Sequence, residues 1–410
     1  MSPQKSLIVS IDIGSSKIAS LVVESSSEED ISFIASSTSK SEGFKSGSIT
    51  DMQKAENTIL NCIHELESLS KKNIQSANVV ISGFATKSYY FYQKIKLETD
   101  SVTQKDVNLL ISKLVKEFDQ QNQEIINYFP IEYSIDGQDQ ILNPIGMTGT
   151  ELGCRIHIIA ASKILLDNLS ACFANCQVKI DNVILGVYAS GLSCLTNDEM
   201  QMGSLVIDLG SRTTSFGIFL DNKLIYSSYI NIGSFHITSD IAKAFSIDFD
   251  TAEKIKIFYG KAIDNFGDKS YKIIEHEKLG CSYDAISHIR YEDVNEVIIP
   301  RVEEIIEEVK KEYDKLGLDH LIARKIVITG GGSNLMYISD YVQKLFNKQT
   351  RVGEPEMFRN MDDSRNIISY PSSIGAVKYV AQINAKAYSS SLMKNKSIFG
   401  KVINWIKENI

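Results

Sequence analysis

Two stretches of this chain place a carboxylate where an apolar run meets a small, hydroxyl-rich turn. The first reads Leu7-Ile-Val-Ser-Ile-Asp12-Ile-Gly14-Ser15-Ser16-Lys17, and the second Ser204-Leu-Val-Ile-Asp208-Leu-Gly210-Ser211-Arg212-Thr213-Thr214-Ser215. In each, the apolar residues suit a strand buried on both faces, and the glycine permits a reversal in which backbone N–H groups and hydroxyls converge on an anion. One such turn is commonplace in α/β proteins. Two, roughly half a chain apart, predict a duplicated fold that clamps a nucleotide between its halves.

Two further segments fit the same chemistry. Thr329-Gly330-Gly331-Gly332-Ser333 follows a strand-like run, and three successive glycines strip one backbone edge of side chains, so that a flat ring or a phosphate can lie against it. A flexible loop is the plainer alternative. Thr251-Ala-Glu253-Lys254-Ile-Lys256 opens a helix, with Asp250 as its expected N-cap and with Glu253 and Lys256 on one face.

Elements must position these groups. Strand-like runs at 18–23, 31–35 and 79–83 alternate with a helical period over 51–71, carried by Ile59, Ile63, Leu66 and Leu69, which predicts an α/β sheet with crossovers. Between 84 and 160 the texture changes to an aromatic strand at 89–92, a helix over 107–118 and a strand over 125–135 that Pro130 marks as an edge or bulged strand. This reads as a small inserted α+β subdomain, with 156–160 and a helix over 163–176 returning to the α/β pattern. Small residues in 183–191 suit a helix crossing close beneath the cleft, or a plain interdomain helix. Helices are expected over 240–245 and 250–257, irregular chain over 261–290, and a long acidic-faced helix over 291–313 interrupted at Pro300. The expected organisation is a first half (1–83 with 161–200), the insertion (84–160), a second half (201–260 with 321–384) carrying a small subdomain (261–320), a tether (385–396) and a terminal helix (397–410).

The 410 residues suffice for two or three domains. A net charge of −8 with no basic domain argues against a general nucleic-acid binder. Scattered cysteines and the lack of a secretory apolar segment point to a reducing cytoplasm. Cys172 and Cys176, without a second ligand pair, read as buried thiols on a helix. No apolar run reaches the ~18–20 residues of a spanning helix.

Taken in order, the two Asp-x-Gly hairpins, Glu253-x-x-Lys256 and the glycine run resemble the superfamily of actin, heat-shock chaperone and sugar-kinase ATPases. The resemblance implies ATP and Mg²⁺ as cofactors. Asp12 and Asp208 would hold the metal through water. Gly14, Ser15, Ser16 and Lys17, with Gly210, Ser211, Arg212, Thr213 and Thr214, would hold the β- and γ-phosphates. Glu253 and Lys256 would meet ribose and base, and Gly330, Gly331, Gly332 and Ser333 would carry the adenosine. Hard cations take carboxylate and water oxygens, and triphosphates take N–H and hydroxyl donors, so the chemistry is consistent.

Over nearly all of its length the chain is similar to the bacterial cell-division FtsA family, through Gly43-Phe-Lys-Ser-Gly-Ser-Ile, Pro130-Ile-Glu-Tyr-Ser-Ile-Asp136, Asn143-Pro-Ile-Gly-Met, Thr238-Ser-Asp-Ile-Ala242 and Ile299-Pro-Arg301. That likeness implies self-association into polymers, division partners on the insertion, and the FtsZ C-terminal tail on the second-half subdomain. Arg290 and Arg301 are candidates to meet that acidic tail, or else form helix salt bridges with nearby glutamates. Two departures stand out. Arg212 occupies a turn where the family carries bare glycines, and it either binds phosphate or obstructs it. Asn182 falls where actin supplies a water-orienting Gln, and its shorter amide predicts weak or no ATP hydrolysis.

After a Ser- and Lys-rich tether, Ile398, Phe399, Val402, Ile403, Trp405, Ile406 and Ile410 fall within an arc of roughly 160° on a helical projection. Lysines at 394, 396, 401 and 407 make this tail cationic in an acidic chain, which suits an anionic lipid surface; docking on the protein's own core is the alternative. The tail matches the family's membrane-targeting helix. The sequence therefore predicts a duplicated actin-like (ribonuclease H-like) fold with an inserted subdomain, acting as an ATP-binding adaptor that anchors the FtsZ ring on the cytoplasmic face of the inner membrane at the division site. A pilus-assembly-type scaffold or a sugar-kinase-type phosphotransferase is the alternative. The remainder after 384 is too short for a chaperone's peptide-binding domain.

Overall fold

The structure, a computed structural model, describes residues 6–83, 86–264, 272–275, 279, 289–318, 325–361 and 370–392, with side chains described as far as 385. The chain begins with β1 (Ser6–Ile13), β2 (Lys17–Ser25), β3 (Ile31–Lys40), the short strands β4 (Phe44–Lys45) and β5 (Ser48–Ile49), α1 (Met52–Ser70) and β6 (Ser76–Ile81). There follow β7 (Thr86–Lys96), α2 (Gln104–Lys116), β8 (Gln123–Ile135), β9 (Gln138–Ile141) and β10 (Glu151–Ser162), then α3 (Lys163–Asn175), β11 (Lys179–Leu185) and α4 (Gly186–Cys194). The rest comprises α5 (Asn197–Met202), β12 (Ser204–Leu209), β13 (Thr214–Leu220), β14 (Lys223–Ile230), α6 (Ser234–Phe245), α7 (Phe249–Tyr259), α8 (Tyr291–Asp314), β15 (Lys325–Thr329), α9 (Ile338–Phe346), β16 (Gln349–Val352) and α10 (Pro371–Leu392).

Two five-stranded sheets share one plan, β3-β2-β1-β6-β11 and β14-β13-β12-β15-β16. In each, an antiparallel three-stranded meander is extended by two strands parallel to its first. The near-continuous apolar runs of β1 and β12 have a simple cause. Leu205, Ile207 and Leu209 face a core built with α6, α7 and α8, while Val206 faces a second core shared with α4 and α10. A strand covered on both faces needs apolar residues at consecutive positions.

The shared core holds the halves together through α4 and α10, which touch backbone to backbone. A Cβ on Gly375 of α10 would stand 1.7 Å from the carbonyl oxygen of Ala189 in α4, and one on Gly191 would stand 2.1 Å from the Phe219 ring. The small residues read as permitting a close helix crossing are placed at that crossing.

Three local expectations change. Residues 156–160 lie inside β10, which pairs along its length with β7 and β8 of a separate four-stranded sheet, β7-β10-β8-β9, instead of returning to the α/β sheet. The N-cap of α7 is Asp248, whose carboxylate accepts the Thr251 N–H at 2.9 Å, two residues before the expected Asp250. Helix α8 runs unbroken through Pro300, because Pro300 and Glu296 are exposed, so the carbonyl that loses its partner faces water, while Val294, Ile298, Val302, Ile305 and Val309 bind the opposite face to the core. Pro130 sits at a register shift of β8, as the bulge expectation had it.

The inserted sheet is latched onto the outer edge of β14. Tyr90 Oη donates to the Ile225 carbonyl at 2.9 Å and Ser88 Oγ to that of Ser227 at 2.9 Å; the His157 ring bonds the Leu224 carbonyl at 2.8 Å, and Lys223 Nζ donates back to that of Ile131 at 2.8 Å. An edge strand's unpaired carbonyls are thereby covered. His157 is fully buried, stacked on Tyr90, and burial lowers its pKa to about 4. Its folded-state value lies below that of a free imidazole, so the stabilisation from the neutral ring is complete above pH ~6.5 and is lost as pH falls toward 4, on the order of 3 kcal/mol in total. In denaturant melts over that window, His157→Phe is expected to show a shallower acid loss than the parent; parallel pH profiles would exclude His157 as its source.

Candidate functional site

The two Asp-x-Gly turns are superposable in their bonding. Asp12 and Asp208 are each the penultimate residue of the first strand of their sheet. Gly14 N–H donates to the Lys17 carbonyl at 3.1 Å, and Gly210 N–H to that of Thr213 at 3.1 Å. A Cβ on either glycine would stand 2.6 or 2.7 Å from that same carbonyl oxygen. Ser15–Ser16 and Ser211–Arg212 therefore occupy equivalent tip positions. The Ser15 hydroxyl accepts the Ser46 N–H at 3.0 Å, tying the first tip to the β4–β5 turn.

Each aspartate is held by a serine from the helix that follows the opposite half. Ser190 of α4 donates to Asp208 at 2.8 Å, and Ser372 of α10 donates to Asp12. The sequence reading missed both serines, although Ala189-Ser-Gly and Ser372-Ser-Ile-Gly are the small-residue runs that make the helix crossing. Desolvation raises the Asp12 carboxyl to about 6, against the Ser372 hydrogen bond, with the Asp208 charge raising it further and Lys17 lowering it. Desolvation raises Asp208 as well, against its bond from Ser190. Among the described residues neither carboxylate has an ion-pair partner. Two desolvated carboxylates close enough for the charge of one to raise the other fit a divalent metal completed by water and phosphate oxygens, the coordination Mg²⁺ favours.

The glycine run closes on Asp208. Gly330 has φ +84°, and a Cβ there would stand 2.4 Å from the Asp208 carboxylate, whereas Gly331 faces open space. Behind the second turn the helices are wired to it. Ser234 and Phe235 N–H groups at the start of α6 donate to the Gly210 and Ser211 carbonyls at 2.9 and 2.8 Å. Thr238 donates to Glu253, which pairs with Lys256 at 2.7 Å, and Lys256 Nζ reaches Thr238 at 3.0 Å. The second turn and the Glu253–Lys256 pair thus belong to one bonded unit. Burial lowers the Lys256 ammonium and Glu253 opposes the shift. Burial likewise lowers Lys17, with Asp12 opposing.

Other candidates lie elsewhere or are already engaged. Thr214 is fully buried with its hydroxyl on the Ile232 carbonyl, and Ser333 closes its own turn onto the Gly330 carbonyl, both at 2.7 Å. Asn182 bonds Asn78 at 2.7 Å, level with Ser10 in mid-sheet; the residue of β11 level with Asp12 is Ile184. Its position is therefore two rows below Asp12 and two strands across, roughly 12 Å away by strand spacing and rise. Arg290 pairs with Glu292 and Asp293, and Arg301 with Asp240 and Glu304, so both guanidiniums have partners within the chain. Ile398, Phe399, Val402, Ile403, Trp405, Ile406 and Ile410 lie outside the described residues.

This arrangement can be set beside known proteins. A family profile described as "Cell division protein FtsA" matches residues 205–380, and one described as "SHS2 domain inserted in FTSA" matches 83–160, the stretch that holds the latched sheet. The chain belongs to the FtsA family. The protein described as "Cell division protein FtsA" from Buchnera aphidicola subsp. Acyrthosiphon pisum is 29% identical, over 100% of this chain and 99% of the relative. Among solved structures, a PilM–PilN type IV pilus biogenesis complex is similar with TM-score 0.63 at 14% identity, covering 92% of this chain and 98% of that one. MreB 5 of Spiroplasma citri bound to AMPPNP is similar with TM-score 0.54 at 16% identity, covering 95% and 100%. At such identities the likeness is one of fold, and that fold is the actin-like ATPase fold. As an FtsA-family member the chain is a cell-division protein.

Proposed function

We propose that the protein is an ATP-dependent adaptor that assembles on the cytoplasmic face of the inner membrane at the division site and tethers the FtsZ polymer there. The observation that carries the nucleotide part is the pair of equivalent turns presenting Asp12 and Asp208, with the glycine run against Asp208. Asp12 and Asp208 would hold Mg²⁺ through water, which supplies charge neutralisation at the phosphates. Gly14, Ser15, Ser16 and Lys17, and Gly210, Ser211, Arg212 and Thr213, would meet the phosphates. Glu253 and Lys256 would take the ribose and base, against the edge of Gly330, Gly331 and Gly332. With Asn182 engaged in mid-sheet, no side chain among the described residues stands out to orient an attacking water, which favours a binding role with weak or no turnover.

In this reading the insertion at 84–160 carries division partners and contacts between copies, and the subdomain at 261–320 takes the FtsZ tail. The cationic apolar arc at 397–410, after its tether, supports peripheral attachment. Among the described residues no helix is long and apolar enough to cross a membrane. Co-pelleting tests the proposal. The full chain with MgATP is expected to pellet with anionic vesicles and to bring FtsZ down with it, and a chain ending at Lys396 is expected to stay in the supernatant. Equal pelleting of both chains would overturn the anchor.

A further inference from the structure

The arginines with described side chains are alike but for one. Arg155, Arg290, Arg301, Arg351 and Arg359 each pair with a carboxylate. Arg212, at the tip of the second phosphate turn, has no carboxylate partner among the described residues. Its guanidinium instead lies 4.0 Å over the Phe235 ring, which is stacked in turn on Phe249 with centroids 5.5 Å apart. A guanidinium held by its face keeps its in-plane N–H fork free, the geometry that grips phosphate oxygens in a bidentate manner.

The surroundings explain why a cation is wanted there. A helix N-terminus beside a phosphate turn ordinarily supplies anion-binding N–H groups. Here the Ser234 and Phe235 N–H groups of α6 are consumed by the Gly210 and Ser211 carbonyls. The equivalent position in the first turn is Ser16, and that turn already carries Lys17 in the field of Asp12. Arg212 is thus the positive group of the second turn that is not already offset by a carboxylate, and a triphosphate brings one more phosphate to offset than a diphosphate does.

We propose that Arg212, pre-oriented by the Phe235 ring, reads the terminal phosphate and makes this site prefer a nucleoside triphosphate over the diphosphate. The proposal rests on the nucleotide-binding reading above. It is tested by titration calorimetry on the full chain with Mg²⁺, using AMPPNP and ADP as probes, and with apo melting temperatures recorded for every variant. Arg212→Ala is expected to weaken AMPPNP roughly tenfold or more while moving ADP less than about twofold. Arg212→Lys keeps the charge without the fork and falls between. Phe235→Leu, acting through Arg212, narrows the AMPPNP-to-ADP ratio without altering the apo melting temperature by more than a few degrees. Equal weakening of both probes, or tighter binding of either by Arg212→Ala, overturns the proposal while leaving nucleotide binding intact. If the parent binds neither probe, the nucleotide reading fails and this inference with it.

Discussion

Gly375→Ala should leave the protein unable to hold its two halves together. Helix propensity alone favours the change, since Ala exceeds Gly by up to about 1 kcal/mol in a helix interior. Packing decides the opposite way. The added carbon would stand 1.7 Å from the Ala189 carbonyl oxygen and 2.4 Å from its carbonyl carbon, which are backbone atoms that cannot rotate aside. Separating α4 from α10 would open the core in which Val187 and Ala189 meet Ile374, Val377 and Phe219. Overpacking of this kind costs about 3 kcal/mol or more. It would also pull Ser190 and Ser372 away from the two aspartates. The matching control is Gly331→Ala, which meets nothing within 4 Å and should keep the parent's stability. Thermal melts of the two variants make the comparison, and similar melting temperatures would refute the close crossing as a structural requirement.

Much of this architecture was legible in the chain because the duplicated strands are covered on both faces. A run such as Leu205-Val-Ile admits few other placements, and repeating it twice exposes the duplication. What was not legible depended on partners distant in sequence. Residues 156–160 read as a return to the α/β pattern, but they pair with β7 and β8; Ile156 and Ile158 face the insertion's own core, His157 reaches β14 and Ile159 enters the shared core, which only tertiary pairing reveals. Pro300 misled for the opposite reason. A local rule against proline in helices gave way where the orphaned carbonyl could reach water and the buried residues of α8, including Val294, Ile298 and Tyr313, anchored the other face.

The site divides along the same line. Asp12, Asp208 and the glycines announce themselves by local spacing. Ser190 and Ser372 do not, because each acts on an aspartate of the other half and nothing in its own neighbourhood marks it. Thr214 follows the turn in sequence but starts β13, so its hydroxyl turns to the Ile232 carbonyl. Asn182 was located by counting back from a small-residue match, and counting does not see that β11 sets this residue level with Ser10, where its amide is taken by Asn78 on the neighbouring strand. Arg212 was visible as an anomaly; its aromatic support was not.

Asp12→Asn should yield a more stable protein that binds MgATP poorly, a combination that separates a ligand-holding carboxylate from a structural one. The Asp12 pKa of about 6 lies above its value of 3.8 when unperturbed, so the folded state holds its proton more tightly than the unfolded state. The destabilisation from the buried charge is therefore complete above pH 6 and is relieved as pH falls from 6 through 3.8. Replacing the carboxylate by its neutral isostere removes that cost, a gain on the order of 3 kcal/mol at pH 7.5 that should vanish below pH 4. Ser372 can still donate to the amide oxygen, so the local bonding survives. Magnesium-dependent ATP binding should weaken by roughly 30- to 100-fold, as expected when a charged hydrogen-bonding partner of a hydrated cation is made neutral. Asp208→Asn should behave in the same sense, and combining the two should add little further loss if, as proposed, the carboxylates share one cation. Denaturant melts across pH, paired with calorimetric titration of ATP in the presence and absence of Mg²⁺, read both arms. Destabilisation of the apo protein by Asp12→Asn at pH 7.5 would show the carboxylate to be a structural partner, and unchanged affinity would remove it from the metal site.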